Sequence, residues 1–292
     1  MISTPPSLYL ERPGPVLRFW GLFRQAFIAA YEDNCFGIAK GAAYSSLLSF
    51  FPVLASLAAI LASVNANAVA RVFSRLLFQV IPPGTEELVR SHFIAKNESA
   101  WLILSATLLS TFAASGAMMT LMEGFDAAYK LPSGRPFLKQ RAVAILLVFI
   151  AALPAVGSSV LIVFGARVEQ WMLATMGLSP EEDLRTSVIL AFGLLRYVVA
   201  LAAIVLVTGL MYHTGPNRPI KFRSVLPGAI LATVLWLLAT SLFALYVRHI
   251  ANYNVLYRSI GAVIALVVWM YVLSVISLFG CEYNAVRERL LD

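Results

Sequence analysis

The side chains best able to do chemistry in this sequence are charged residues within or at the ends of long apolar runs. They are Glu123, Asp126, Arg196 and Glu282. A charged group in such a run is a functional candidate by default, because a carboxylate there could take up a proton or bind a head group. The simpler interpretation is a ring of ion pairs at helix ends, where charge reaches water cheaply. Arg196 has an interfacial alternative as well, because Gly193 to Tyr212 alone holds 20 residues.

A second candidate is a pair of semi-polar stripes along the first two long apolar segments. Small or hydroxylic residues recur there every three or four positions, which places them on one face of a helix. Such a face can line a substrate path, and a proline within it can kink the helix where a cavity forms. It can equally let two helices pack closely. The residues predicted to line a path are Ser45, Ser49, Pro52 and Ser56, followed by Thr107, Thr111 and Ser115.

Motifs of familiar enzyme classes are absent from the sequence. His92, His213 and His249 are isolated, and none stands in an H-x-H or H-E-x-x-H pair that could hold a metal. Cys35 and Cys281 have no metal-type spacing and are predicted to be free thiols. No Walker A phosphate loop or G-x-S-x-G elbow occurs. We therefore expect no catalytic residue, metal or cofactor, although these absences leave room for an unfamiliar intramembrane active site.

Composition places these residues in a membrane. Apolar residues make up 60% of the 292 residues and charged residues 13%, against about 45–50% and 25% in a soluble domain. The apolar residues fall into runs of about 20, the length that an α-helix needs to cross a bilayer. The prediction is an all-α integral membrane protein built as a six-transmembrane-helix bundle. The predicted spans are about Gly41 to Val64, Trp101 to Met122, Ala142 to Gly165, Ser187 to Tyr212, Val225 to Val247 and Ser259 to Gly280.

Positive charge gives the predicted bundle a direction. If the first residues lie inside, the inner segments hold 13 Lys and Arg residues and the outer segments hold eight, with Arg196 inside the fourth span. Cytoplasmic loops retain positive charge, so both termini are predicted to be cytoplasmic. The net charge of +7 is then mostly topological. Because these charges are dispersed over both faces, nucleic acid is not expected as a partner.

Amphipathic segments flank the first span. One lies before it and predicts a helix on the inner leaflet or a helix packed against the bundle; the other, near Val69 to Val80, lies on the outer side. The apolar stripe of the first is formed by Val16, Trp20, Phe23, Phe27 and Tyr31. The predicted organisation is a cytoplasmic segment at 1–40, a six-helix membrane domain at 41–284 and a cytoplasmic tail at 285–292.

Several segments, in order along the chain, resemble the YihY/BrkB family of bacterial inner-membrane proteins, historically labelled ribonuclease BN. They cover the first span, an inner loop and the last third of the chain. They are AYSSLLSFFPVL from Ala43, GRPFLKQR from Gly134, PNRPIKFRSVLPGAILATVLW from Pro216, YNVLYRSIGAVIALVVWMY from Tyr253 and GCEYNAVRE from Gly280. The sequence departs from the family pattern at Arg258, where Gly is expected, and at Tyr283, where Leu is common. The first departure puts any shared role of that outer turn in doubt.

The resemblance implies a six-helix protein of the bacterial inner (plasma) membrane, associated in some members with virulence and with moving lipid or envelope material. We expect a transporter or flippase-like protein that handles an amphipathic or lipid envelope component, with membrane lipids as partners. The alternative is a non-catalytic structural or assembly factor of the cell envelope, acting as a homo-oligomer or through an envelope protein partner. A metal-dependent ribonuclease needs clustered His and Asp ligands. The sequence has no such cluster, so ribonuclease activity is not expected.

Overall fold

The structure is a computed structural model, and it describes residues 15–63, 100–132, 135–152, 183–250 and 255–290. Within these ranges the backbone forms seven α-helices and no β-strand. The helices are α1 (Pro15–Glu32), α2 (Cys35–Ser63), α3 (Ala100–Ala128), α4 (137–152), α5 (Asp183–Thr214), α6 (Phe222–Ile250) and α7 (Val255–Arg289). The prediction of an all-α fold is confirmed for this part of the chain.

Four of the described helices are long and apolar enough to cross a bilayer. The crossing segments are Leu104–Ala128, Tyr197–Thr214, Phe222–Tyr246 and Val263–Arg289. They correspond to the second, fourth, fifth and sixth predicted spans. The first predicted span runs to residue 64 and the third to residue 165, beyond the residues that the structure describes. The count of six spans therefore stays a prediction.

The outer surface of these helices is apolar. Leu108 and Phe112 of α3, like Leu238 and Leu242 of α6, are more than half exposed. Large exposed apolar surfaces on a monomer mark sites of association with a membrane or another protein. On helices of spanning length, this surface is suited to lipid hydrocarbon.

Charged residues collect at one end of the bundle, which we call the polar end. It comprises residues 33–40, 123–132, 135–140, 212–223 and 282–290, which hydrogen bonds join to one another. Helices α2, α4 and α6 begin there, whereas α3, α5 and α7 end there. These six helices thus alternate in direction, as in an up-and-down helix bundle.

The polar end is built around α7. This helix contacts α1, α2, α3 and α6, and every residue from 278 to 286 is buried. A surface helix buries only one stripe, so burial through more than two consecutive turns means that α7 is enclosed on all sides. Glu282 and Asn284 lie within this enclosed stretch.

Helices α6 and α7 touch where two glycines face each other. A Cβ built on Gly228 would collide with the carbonyl oxygen of Gly280, and one built on Gly280 would lie 2.8 Å from the Cβ of Ala232. Asn284 Oδ1 accepts a hydrogen bond from the Gly228 N–H at 2.7 Å, and Asn284 Nδ2 donates to the Val225 carbonyl at 2.9 Å. Small residues let the two backbones meet, and the buried amide fixes their register.

Helix α1 packs against the bundle, which is one of the two arrangements that its sequence left open. Ala26 and Ala30 are buried, and Phe23 packs against Phe279 of α7 with ring centroids 5.0 Å apart. Three aromatic side chains of the predicted stripe remain mostly exposed, namely Trp20, Phe27 and Tyr31. The helix therefore docks on the bundle through its alanine face while aromatic rings remain available to lipid.

Candidate functional site

Among the described residues, Glu282 carries a charged side chain that is completely buried, with 0% of its surface exposed. Its Oε1 accepts a hydrogen bond at 2.9 Å from Nη2 of Arg289, two turns later in α7. The Arg289 side chain is 45% exposed, so the pair connects the interior to the surface. Glu282 Oε2 is also buried and accepts no hydrogen bond from a described residue. A carboxylate with four acceptor positions is thus held by one partner.

A second ion pair, between Asp33 and Lys130, lies beside Glu282 and ties the α1–α2 connection to the end of α3. Both of its charges act on Glu282. Lys130 has a φ of 55° and ends α3 in a Schellman motif, in which the Leu131 N–H donates to the Asp126 carbonyl at 2.9 Å. Left-handed backbone costs a lysine about 1–2 kcal/mol, and the pair with Asp33 supplies a compensating contact. We call Asp33, Lys130, Glu282 and Arg289 the ionic cluster.

Cys35, the first residue of α2, connects the ionic cluster to an apolar pocket. Burial, followed by the charges of Glu282 and Asp33, raises the pKa of Cys35 to about 12. The thiol is therefore protonated at neutral pH and lies within electrostatic reach of both carboxylates. The same side chain lines the pocket. Cys35 therefore lies between the charged residues of the ionic cluster and the apolar lining of the pocket.

The apolar pocket lies between α1, α2, α6 and α7 and has a volume of about 170 Å³. An apolar cavity of roughly 150 Å³ stays dry and binds hydrocarbon, so hydrocarbon is the expected occupant here. The pocket is smaller than the roughly 300–1,000 Å³ of a drug-sized site and suits part of an alkyl chain. Its wall consists of Phe23, Phe27, Ala30, Cys35, Phe36, Leu235, Val275, Ile276 and Phe279.

Elsewhere at the polar end, Arg135 clamps the loop between α5 and α6. Its Nη1 donates to the carbonyl of Gly215 at 3.0 Å, and its Nη2 donates to the carbonyl of Pro216 at 2.6 Å. Nη2 also reaches the Thr214 carbonyl at 3.4 Å, and Nε donates to Asn217 Oδ1 at 2.9 Å. One planar guanidinium thus donates hydrogen bonds to four oxygens. These bonds satisfy carbonyl groups at the end of α5, which lack partners within the helix.

Asp126 holds the same loop from the end of α3. Its Oδ1 accepts a hydrogen bond from the Asn217 N–H at 2.7 Å. Asn217 is therefore fixed at its backbone by Asp126 and at its side chain by Arg135. The half-buried Asp126 carboxylate has a positional role in this structure, since it sets where the α5–α6 loop lies.

Arg218, in the same loop, reaches both α3 and α7. It forms an ion pair with Glu288, and its guanidinium carbon lies 4.6 Å from the centre of the Tyr129 ring. The Tyr129 hydroxyl, Arg218 Nε and Glu288 Oε2 are buried and have no hydrogen-bond partner among the described residues. Burial is the main cause that raises the pKa of Tyr129 above its ordinary value, so this phenol stays neutral.

The structure brings Asp126 and Glu282, two of the predicted charged residues, to the polar end. Glu123 lies there as well, but its side chain is exposed. Arg196 lies in α5, and its side chain falls outside the described part. A functional role for each of these four residues stays a prediction.

The predicted hydroxyl stripes lie on α2 and α3, which share the most extensive contact between described helices. Ser49 and Ser115 are buried, and each donates to the carbonyl three residues earlier, at 2.9 Å and 2.7 Å. A hydroxyl that donates to its own helix suits close helix packing, and it can still accept a hydrogen bond from a substrate. The stripes therefore remain compatible with a packing face and with a substrate path. Ser45, Pro52, Thr107 and Thr111 are half-buried, and the Ser56 side chain lies outside the described part.

Sequence reasoning missed Arg135, Asn217, Arg218 and Tyr129 as parts of the site. For the first three a signal existed, because GRPF and PNRP place them beside prolines in short connections between helices. Proline fixes its own φ and restricts the residue before it, so neighbouring side chains are held in place. Tyr129 carried no such signal, because its neighbours come from distant parts of the chain.

Both cysteines are free thiols, as the sequence predicted, and both are buried. His213, at the end of α5, has its Nδ1 2.6 Å from the Ile220 carbonyl, which ties the two ends of the α5–α6 loop. Within the described ranges, no three His, Cys, Asp or Glu side chains are grouped so as to hold a metal ion.

The relatives of this chain are bacterial proteins, several of them named as UPF0761 membrane proteins. The Bacillus subtilis (strain 168) ribonuclease-like protein YfkH is 30% identical over 257 residues, which are 86% of this chain and 90% of that protein. A UPF0761 membrane protein of Tolumonas auensis is 26% identical over 87% of this chain and 81% of its own length. Another, from Pseudoalteromonas translucida, is 24% identical over 96% and 90%. No solved structure matches the chain.

The family model described as virulence factor BrkB matches residues 26–291. That range includes the ionic cluster, the apolar pocket except Phe23, and the α6–α7 glycine contact. The resemblance seen in the sequence is therefore confirmed. The protein belongs to the virulence factor BrkB family of membrane proteins.

Proposed function

We propose that this protein moves an amphipathic lipid or envelope component across the inner membrane without hydrolysing ATP itself. The observation that carries the proposal is the meeting of the apolar pocket and the ionic cluster at Cys35. A lipid has the same division, because its hydrocarbon suits the pocket and its charged head group suits the cluster. Burial of a chain segment supplies about 0.8 kcal/mol per methylene, and the cluster supplies orientation.

The charges of the ionic cluster favour a head group that carries both signs. Asp33 and Glu282 each keep a buried oxygen without a donor among the described residues, and an ammonium group could supply those donors. Lys130 and Arg289 are about half exposed and could pair with a phosphate. A zwitterionic phospholipid is therefore the substrate class that the cluster fits best.

The proposal also gives the protein a direction in the membrane. With 13 Lys and Arg residues in the inner segments and eight in the outer ones, both termini and the polar end face the cytoplasm. Periplasmic activity is expected from topology reporters fused after Lys96, Glu182 and Asn252. Cytoplasmic activity of the reporter at any of these three positions would show that the predicted order of six spans is wrong at that position.

Lipid that copurifies with the protein provides the test of the pocket. Val275 lines the pocket, so Val275→Phe would fill part of it. Val268, on the same helix, is 50% exposed, so Val268→Phe is a matched control. Mass spectrometry is expected to find a specific phospholipid on the wild type and the control. The Val275→Phe protein should bind at least about tenfold less of it, equivalent to about 1.4 kcal/mol.

Equal lipid binding by both variants would remove the pocket from the site. Bulk lipid alone, together with a stoichiometric protein partner, would instead support the structural or assembly factor. In that case the exposed aromatic rings of α1 would be the first surface to examine for contacts with the partner.

A further inference from the structure

Buried polar atoms without partners gather at the polar end. Five such atoms lie there, counted within the described part of the chain: Asp33 Oδ2, the Tyr129 hydroxyl, Arg218 Nε, Glu282 Oε2 and Glu288 Oε2. Native proteins leave few buried polar groups unpaired, and each exception calls for an explanation. Three of these five atoms are carboxylate oxygens, which are acceptors that a proton could satisfy.

An ion pair, a ring contact and electrostatic interactions connect a partly exposed carboxylate, Glu288, to the buried Glu282. Glu288 is 31% exposed and pairs with Arg218, which lies over the Tyr129 ring. Tyr129 is within electrostatic reach of both Glu288 and Glu282. A neutral phenol can donate one hydrogen bond and accept another, so the unpaired Tyr129 hydroxyl could pass a proton between the two carboxylates when side-chain movement brings them within hydrogen-bond distance.

We propose that Glu282 is a reversible proton-binding site, reached through Glu288 and Tyr129, whose protonation releases Arg289 from the ionic cluster. A proton that enters from solvent forms an O–H bond on Glu282 Oε2, and the carboxylate becomes a neutral carboxylic acid. The Coulomb attraction for Arg289 is then lost. Arg289 is 45% exposed, so its charge can move into solvent at little cost. Loss of the proton restores the pair.

Charged and titratable groups from three elements face Glu282. Asp33 is a like charge near Glu282, whereas Arg289 and Lys130 are opposite charges. Cys35 and Tyr129 are neutral neighbours, and Cys281 precedes Glu282 in α7. Among the described residues, α6 adds no charged group to this set. With one carboxylate and two cations nearby, Glu282 can exist in either the protonated or the ionised form.

The inference deepens the proposed function, because release of Arg289 opens the ionic cluster beside the pocket and would couple lipid movement to protons. The proton site itself rests on the buried carboxylate and does not depend on lipid transport. The two ideas are therefore tested separately.

Infrared difference spectroscopy of the purified full-length protein, titrated from alkaline to acid pH without added substrate, tests the proton site. The wild type should gain the C=O band of a carboxylic acid that differs from the bands of exposed carboxyl groups. Glu282→Gln, which keeps an acceptor for Arg289, should lose that band. Glu123→Gln, at an exposed carboxylate of the same end, should keep it. The same band in the Glu282→Gln protein as in the wild type would overturn the proposal.

A second variant keeps the test decisive if Glu282→Gln fails to fold. Arg289→Ala removes a half-exposed cation, so the midpoint of the Glu282 band should move to higher pH by about one unit or more. Arg287→Ala, on the same turn, should leave the midpoint in place. An unchanged midpoint in Arg289→Ala would overturn the link between the proton and the ion pair. A titrating Glu282 in a protein that moves no lipid would retain the proton site and refute transport.

Discussion

Replacing Gly228 with alanine lowers the unfolding temperature of the detergent-solubilised protein by about 5–10 °C. The added Cβ would collide with the Gly280 carbonyl oxygen and would lie 2.5 Å from the Asn284 amide. The helices must then separate, or Asn284 must give up its hydrogen bonds to Gly228 and Val225. Overpacking costs typically 1–3 kcal/mol, and an unpaired buried amide adds about 1–3 kcal/mol. We expect a total loss of about 2–5 kcal/mol.

Gly116→Ala is the matched control, because nothing lies within 4 Å of a Cβ at this position in α3. Alanine is also the better helix former by about 1 kcal/mol, so the control should unfold at or above the wild-type temperature. Thermal unfolding followed by circular dichroism measures both variants. If Gly228→Ala unfolded at the wild-type temperature, α6 and α7 could not pack as closely at Gly228 and Gly280 as the structure shows.

Replacing Arg135 with alanine frees the loop between α5 and α6. The change removes donors to the carbonyls of Thr214, Gly215 and Pro216 and to the side chain of Asn217. Hydrogen bonds to a charged group contribute about 1.5–3 kcal/mol each, and because the four share one guanidinium their sum is smaller than four such values. We expect a loss of about 3–5 kcal/mol. Amide hydrogen exchange within residues 215–222 should accelerate at least about 100-fold, equivalent to about 2.7 kcal/mol.

Lys139→Ala removes an equal charge four residues later, from an exposed position in α4. It should leave exchange in the loop unchanged, which separates the geometry of the guanidinium from the general effect of positive charge. Arg135→Lys should recover only part of the protection, because an ammonium lacks the planar fork that reaches several carbonyls. Wild-type exchange in Arg135→Ala would refute the clamp.

Local sequence patterns predicted the elements of the fold better than their assembly. Apolar runs of spanning length predicted four helices that the structure contains, because each run must bury its own backbone polar groups in a helix. Helix boundaries were less accurate: α7 continues to Arg289, beyond the predicted end at Gly280. The reason is that α1, α2 and α3 enclose its last turns, which no local pattern in α7 reveals.

The site was predictable only in part, for the same physical reason. Glu282 was identified because a carboxylate within or at the end of an apolar run could take up a proton or bind a head group. Its pairing with Arg289 is local, at two turns of one helix, and could have been anticipated from the spacing. Asp33 and Lys130 are 97 positions apart, so their pairing follows from the packing of α1, α2 and α3 alone. The apolar pocket likewise draws its wall from four helices.

The two ends of the candidate site differ in how firmly they are held. Arg135 and Asp126 fix the α5–α6 loop with several hydrogen bonds to backbone, and such networks resist change. Glu282 has one partner, which is half exposed. We therefore infer that movement during transport would occur at the ionic cluster, whereas the loop and the α6–α7 glycine contact serve as a fixed frame.

The rate at which a labelled phospholipid changes leaflets in proteoliposomes tests the central claim most directly. Vesicles with wild-type protein or Val268→Phe should exchange the lipid at least about tenfold faster than vesicles with Val275→Phe, a difference of about 1.4 kcal/mol in barrier. Circular dichroism would verify that all three proteins are folded. If folded wild-type protein moved the lipid no faster than protein-free vesicles, the pocket and the ionic cluster would not be a lipid transport site.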